Sequence, residues 1–169
     1  MTELAFQSAL QLAEQIRNRS ISASEMLDYF LDRVERFNPD LNAIVVNDFD
    51  RAIETARQAD RDLAAGKSWG LLHGLPMTLK ESYDMAGLLT TRGNPVWKDN
   101  LCDTDALSVQ RLKALGVNIF GKTNVPLNLA DMQSYNEIYG TTNNPWDHSR
   151  APGGSSGGSA AALAAGLTG

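Results

Sequence analysis

The sequence is poor in sulfur and imidazole, with one cysteine, Cys102, and two histidines, His73 and His148, in 169 residues. A lone cysteine closes no intrachain disulfide, and with two histidines it falls short of the usual zinc ligand sets. A reducing, cytoplasmic setting is expected, with no metal and no organic cofactor. No apolar run approaches the length of a membrane span, and the opening residues mix acidic and polar side chains where a secretory signal would stay apolar. Cations are outnumbered, 15 Lys and Arg against 20 Asp and Glu, and the net charge of -5 repels phosphate backbones with no basic cluster to offset it. Neither nucleic acid nor membrane is an expected partner. What remains, 43% hydrophobic and 21% charged residues, is the composition of an ordinary globular chain rather than a disordered one.

Leu4, Ala9, Leu10, Ala13 and Ile16 recur at helical spacing and predict an amphipathic helix running to about Arg17. Ser22 and Glu25 have capping-box spacing ahead of a stripe formed by Met26, Tyr29, Phe30, Val34 and Phe37, and Asn38-Pro39 is expected to stop that helix. Both stripes read as packing surfaces. The β-branched run at residues 43–46 predicts a buried strand, and Ala52, Ile53, Ala56, Ala59 and Leu63 a third helix ending near Gly66. Residues 73–80 read as a turn feeding a short strand, with Pro76 confined to its start or to an edge and Lys80 near its end. A helix over 106–115, stopped at Gly116, then leads through an apolar strand, 117–120, into Gly121-Lys122-Thr123-Asn124. Strand and helix alternate, so the fold class is α/β. Periodicity fades from 124 to 150, a long loop region of the kind that lines sites. Gly153-Gly154-Ser155-Ser156-Gly157-Gly158-Ser159 then enters an alanine-rich helix, for which Ser159 is the expected cap.

A glycine-serine loop at a helix N-terminus can position hydroxyls or amides, although a flexible linker shares its composition. Gly116 to Thr123 matches the P-loop pattern by letter, but the four residues between its glycines read as a buried strand where a phosphate-cradling loop is needed, and no helix pattern follows Thr123. Gly153-Gly154-Ser155-Ser156-Gly157 matches a nucleophile elbow by letter, but no histidine, aspartate or glutamate follows it to complete that triad. A third chemistry uses a lysine as base, which requires an amine desolvated enough to lose its proton near neutrality. Lys80 is the candidate, its stem drawn inward by residues 75–79. The competing local reading makes Lys80 and Glu81 a solvated surface pair.

Four ordered segments then resemble the amidase-signature family: Gly74-Leu75-Pro76-Met77-Thr78-Leu79-Lys80-Glu81-Ser82, Gly121-Lys122-Thr123-Asn124-Val125-Pro126, Asn144-Pro145-Trp146-Asp147 and the glycine-serine block at 152–159. The resemblance implies a single, partial domain over 1–169, mainly helical over 1–66, with 67–169 beginning a large mixed twisted sheet flanked by helices. It also implies a Ser-cisSer-Lys triad, with Lys80 as the lysine and Ser155 as the bridging serine after a cis Gly154-Ser155 bond. Ser156 would support that loop. Leu129 and Asp131 fall where the family lines its substrate pocket, although ordinary loop packing accounts for them equally. His73 and His148 receive turn or surface roles, Trp146 a packing role, and Cys102 no catalytic one.

The family's nucleophilic serine and its oxyanion donors would follow Gly169, so the chain is expected to be an N-terminal portion, inactive alone. The implied function is hydrolysis of carbon–nitrogen bonds in a small-molecule amide. Expected partners are that amide and either the C-terminal segment or a second copy. A noncatalytic remnant that binds amides or a partner is the alternative reading. A transamidating component of a larger complex ranks below it, because residues 133–139 look more like general amidases.

Overall fold

The computed structural model describes residues 3–169. Helix α1, Ala9–Arg17, begins later than its apolar periodicity suggests. Ser8 holds extended backbone, its hydroxyl accepts from Gln11 N–H, and the Gln11 side chain accepts from Ser8 N–H at 2.9 Å. That capping box opens the helix at Ala9 and leaves Leu4–Phe6 as a separate 3-10 turn. Helix α2, Ala23–Leu41, opens on the expected Ser22–Glu25 box and buries Met26, Phe30 and Val34, with Tyr29 and Phe37 half-buried beside them.

Pro39 does not stop α2. It lies in the last turn, where a missing N–H removes one bond close to where the chain leaves the helix anyway. The end comes at Asn42, in left-handed conformation with φ 49°. The Asn38 side-chain carbonyl then accepts from the N–H groups of Ala43 and Ile44, both at 2.9 Å, and turns the chain into a strand.

That strand is β1, Ile44–Asn47, followed by α3, Phe49–Ala64, β2, Pro76–Lys80, α4, Leu107–Ala114, and β3, Asn118–Thr123. The sheet order is β1-β3-β2, with β1 antiparallel and β2 parallel to the central β3. Parallel pairing needs a crossover, which residues 81–117 supply with α4 inside them. Pro76 is the first residue of an edge strand, where the lack of an N–H leaves no ladder bond unmade. Thr78 and Lys80 point to one face of the sheet and Met77 and Leu79 to the other, as the two-residue period of a strand requires.

Each face has its own core. Leu12, Ile16, Met26, Leu27, Phe30, Ala56 and Phe120 pack together with Ala161, Ala162 and Leu167 from α5, Gly157–Ala164, and the turn after it. On the opposite face Leu79, Met85, Leu88, Val109, Val117 and Ile119 form a smaller cluster beneath α4. The long loop carries a two-strand hairpin, β4, Tyr135–Asn136, and β5, Gly140–Thr141. Buried amides order it: Asn136 Nδ2 donates to Asn124 Oδ1 and to Val125 O, while Asn124 Nδ2 donates to Gly140 O and Thr142 Oγ1. Among the described residues, no helix is long and apolar enough to cross a membrane.

Candidate active site

Lys80 closes β2 and Ser155 sits in the loop that enters α5, 75 positions away, yet Lys80 Nζ donates to Ser155 Oγ at 2.7 Å. Burial disfavours the ammonium and lowers the Lys80 pKa from the ordinary lysine value. No surface pair with Glu81 forms. Glu81 is fully buried and accepts from the N–H groups of Thr91 at 2.5 Å and Arg92 at 2.9 Å, and from the Tyr139 hydroxyl at 3.3 Å. A backbone turn next to β2 therefore consumes the carboxylate that local sequence would have offered to Lys80. The Tyr139 phenol, desolvated beside that anion, is pushed up to about 12.

The Gly154–Ser155 peptide is cis. Gly154 lies flush against the 131–133 backbone, so that a Cβ there would fall within 2.6 Å of Gln133 N. Ser134 Oγ donates to Gly153 O at 3.3 Å and pins the same loop. Ser156 is the exposed N-cap of α5, although its side chain makes no capping bond. Ser159 is not the cap. The helix starts two residues before it, and its hydroxyl instead meets Thr123 Oγ1 at 2.6 Å.

Close packing joins Asp131 to this loop through its carbonyl, which abuts Gly154. The Asp131 carboxylate is exposed, accepts from Met132 N–H at 2.6 Å, and pairs with the Tyr135 hydroxyl, raising the phenol's pKa. Leu129 occupies a half-buried left-handed turn, φ 62°, and lies outside that set of contacts. His73 is buried rather than superficial. Its Nδ1 accepts from Trp69 N–H and its Nε2 lies against Ala59 O, both at 3.0 Å, which identifies a packing residue. His148 is exposed. Trp146, expected to anchor packing, is 85% exposed because Asn144 Oδ1 takes its N–H in a tight turn that aims the ring outward.

Sequence reasoning passes over Lys122. It is wholly buried in β3, on the face away from Lys80, and donates to Leu89 O at 2.5 Å and Thr90 Oγ1 at 2.7 Å. Desolvation depresses its pKa to about 8, opposed by the charge of Glu81. The signal that could have found it is the apolar strand running directly into Gly121-Lys122-Thr123. Cys102 is half-buried, 3.2 Å from Thr90 Oγ1 and 3.4 Å from Asp84 Oδ1. Among the described residues, no group of three or more His, Cys, Asp or Glu side chains converges as a metal site.

This mixed α/β architecture is that of the N-terminal third of amidase-signature structures. A 6-aminohexanoate cyclic dimer hydrolase superposes with a TM-score of 0.87 at 34% identity, over 99% of this chain and 33% of that one. Residues 25–169 match the family model described as Amidase, and the chain belongs to that family. It is 41% identical to a glutamyl-tRNA(Gln) amidotransferase subunit of Acidothermus cellulolyticus, over 98% of this chain and 33% of the relative. Its identity to the indoleacetamide hydrolase of Bradyrhizobium diazoefficiens is 42%, over 95% and 30%. The chain thus spans about a third of the length of the relatives it matches.

Proposed function

We propose that this chain supplies the lysine and the bridging serine of a Ser-cisSer-Lys machinery that cleaves carbon–nitrogen bonds in small-molecule amides. The observation that carries the reading is the 2.7 Å contact between Lys80 and Ser155, made by an amine that burial inclines toward neutrality. A hydroxyl donates and accepts at once, so Ser155 can take a proton from a nucleophilic hydroxyl while passing its own to neutral Lys80. The reverse transfer would protonate the departing amine, and water or ammonia would then release the acyl group. In this reading the nucleophile and the oxyanion donors lie outside residues 1–169, which span about a third of the length of the relatives. Gly154, Ser156 and the 131–134 backbone would hold the bridging serine in place, with Asp131 and Leu129 bordering the acyl or leaving-group side. The lone cysteine supports a cytoplasmic setting.

The test supplies the C-terminal portion of a family member in trans and follows hydrolysis of aliphatic and aryl amides. Lys80→Ala and Ser155→Ala should each lower the rate by about 10²- to 10⁴-fold, the usual worth of positioned proton transfer. An active complex indifferent to both substitutions overturns the assignment. Similarity to a component of an amidotransferase favours a second reading, ammonia release within a larger assembly. Co-purification with partner chains of such an assembly would select it.

A further inference from the structure

Lys80 and Ser155 stand on elements that no peptide segment joins directly, and their contact depends on how the start of α5 is seated against the sheet. Gly158 supplies close approach: a Cβ there would lie 2.9 Å from Asn124 Cα, so the helix rests on the backbone just past β3. Backbone contact of this kind permits sliding, whereas a hydroxyl bond fixes one position. Thr123 is fully buried and is the cross-strand partner of Lys80 in the parallel pairing. Its Oγ1 lies 3.2 Å from Leu79 O and 2.6 Å from Ser159 Oγ. A carbonyl only accepts, so the Thr123 proton goes to Leu79 O and the Ser159 proton to Thr123. The chain of bonds thus runs from the first turn of α5, through the strand beside Lys80, to the residue that precedes Lys80.

The geometry points to Ser159 as a positioning residue: by way of Thr123 its hydroxyl locks α5 onto β2 and so sets the separation of Lys80 Nζ and Ser155 Oγ. The inference rests on the proton-transfer role proposed above for that pair. It assigns no contact with substrate to Ser159. Uncharged hydroxyls carry the whole link, while the nearby charges are engaged elsewhere, Glu81 with Thr91 and Arg92 and Lys122 on the opposite face with Leu89 and Thr90.

Releasing the lock should let water reach the amine and return it toward ordinary lysine behaviour. The experiment uses the 169-residue chain and trace acetylation with acetic anhydride across a pH series, with modification of Lys80 and exposed Lys67 read by mass spectrometry. Ser159→Ala keeps a strong helix former in α5, so the helix itself is not weakened. Thr123→Val removes the other hydroxyl, and Thr123→Ser restores it.

In the unaltered chain Lys80 should reach half-reactivity at lower pH than Lys67. Ser159→Ala and Thr123→Val should each move the Lys80 midpoint upward, toward that of Lys67, as the amine is rehydrated, and Thr123→Ser should leave it in place. A low Lys80 midpoint untouched by Ser159→Ala and Thr123→Val overturns the positioning role and leaves the proposed function intact. A Lys80 midpoint equal to that of Lys67 in the unaltered chain overturns both.

Discussion

Gly158 illustrates how much of the site is decided by single atoms. Its backbone is packed so closely on Asn124 that alanine has nowhere to place its methyl, since Asn124 Cα and O lie 2.9 and 2.5 Å from an ideal Cβ. Helix propensity favours alanine at that position, whereas overpacking against backbone opposes it by about 1–3 kcal/mol. Packing should win. Gly158→Ala is expected to lower the urea midpoint and to raise the pH midpoint of Lys80 acetylation together, and a stabilised variant with Lys80 unchanged would refute the close seat. Motif order alone makes Lys80 and Ser155 legible as a pair. The partner of Ser159 is not legible, because serine before an alanine run reads as a cap, and only the register of β3 reveals that Thr123 stands there instead. Trp146 misleads for a related reason: an aromatic beside proline suggests packing, but the Asn144 turn decides where the ring points.

Among the elements, β3 is the most informative and the least well read from sequence. An apolar run marks its start, yet the strand continues through Lys122, whose amine is satisfied by Leu89 O and Thr90 Oγ1 in a buried setting. The folded chain holds this amine neutral above about pH 8, while the unfolded chain keeps its proton to near the ordinary value of 10.5. Between those limits the unfolded state binds more protons, so stability gained from Lys122 rises with pH, by about 3 kcal/mol. Below about pH 8 that gain is absent. Urea unfolding of the unaltered chain and of Lys122→Met at pH 7.5 and pH 10 should therefore diverge in favour of the unaltered chain as pH rises. A difference independent of pH would contradict the buried, weakly basic amine. The helices are easier to read, since capping boxes and apolar stripes are local signals. Pro39 is the exception, being tolerated where α2 has only two residues left to run.

For the whole molecule, the α/β alternation is legible because buried strands and amphipathic helices leave different periodicities. The joining of residues 80 and 155 is legible only through the ordered motifs of the family resemblance, because local pattern carries no information about which strand end a distant loop will meet. Tertiary packing supplies it: α5 covers the face of the sheet to which Thr78 and Lys80 point, and Thr168 just beyond α5 accepts from Thr78 N–H at 2.9 Å. One fold-wide consequence dominates, namely that an edge strand and a glycine-rich turn together hold a half-buried amine against a hydroxyl. The most direct measurement is a ¹³C NMR titration of the Lys80 side chain in the intact 169-residue chain, repeated with Ser155→Ala to identify the neighbour. The expected midpoint lies below the ordinary lysine value of 10.5, and the Lys80 resonance should shift when the Ser155 hydroxyl is removed. A Lys80 that titrates at or above 10.5, with a resonance blind to the loss of that hydroxyl, would contradict the contact and the chemistry built on it.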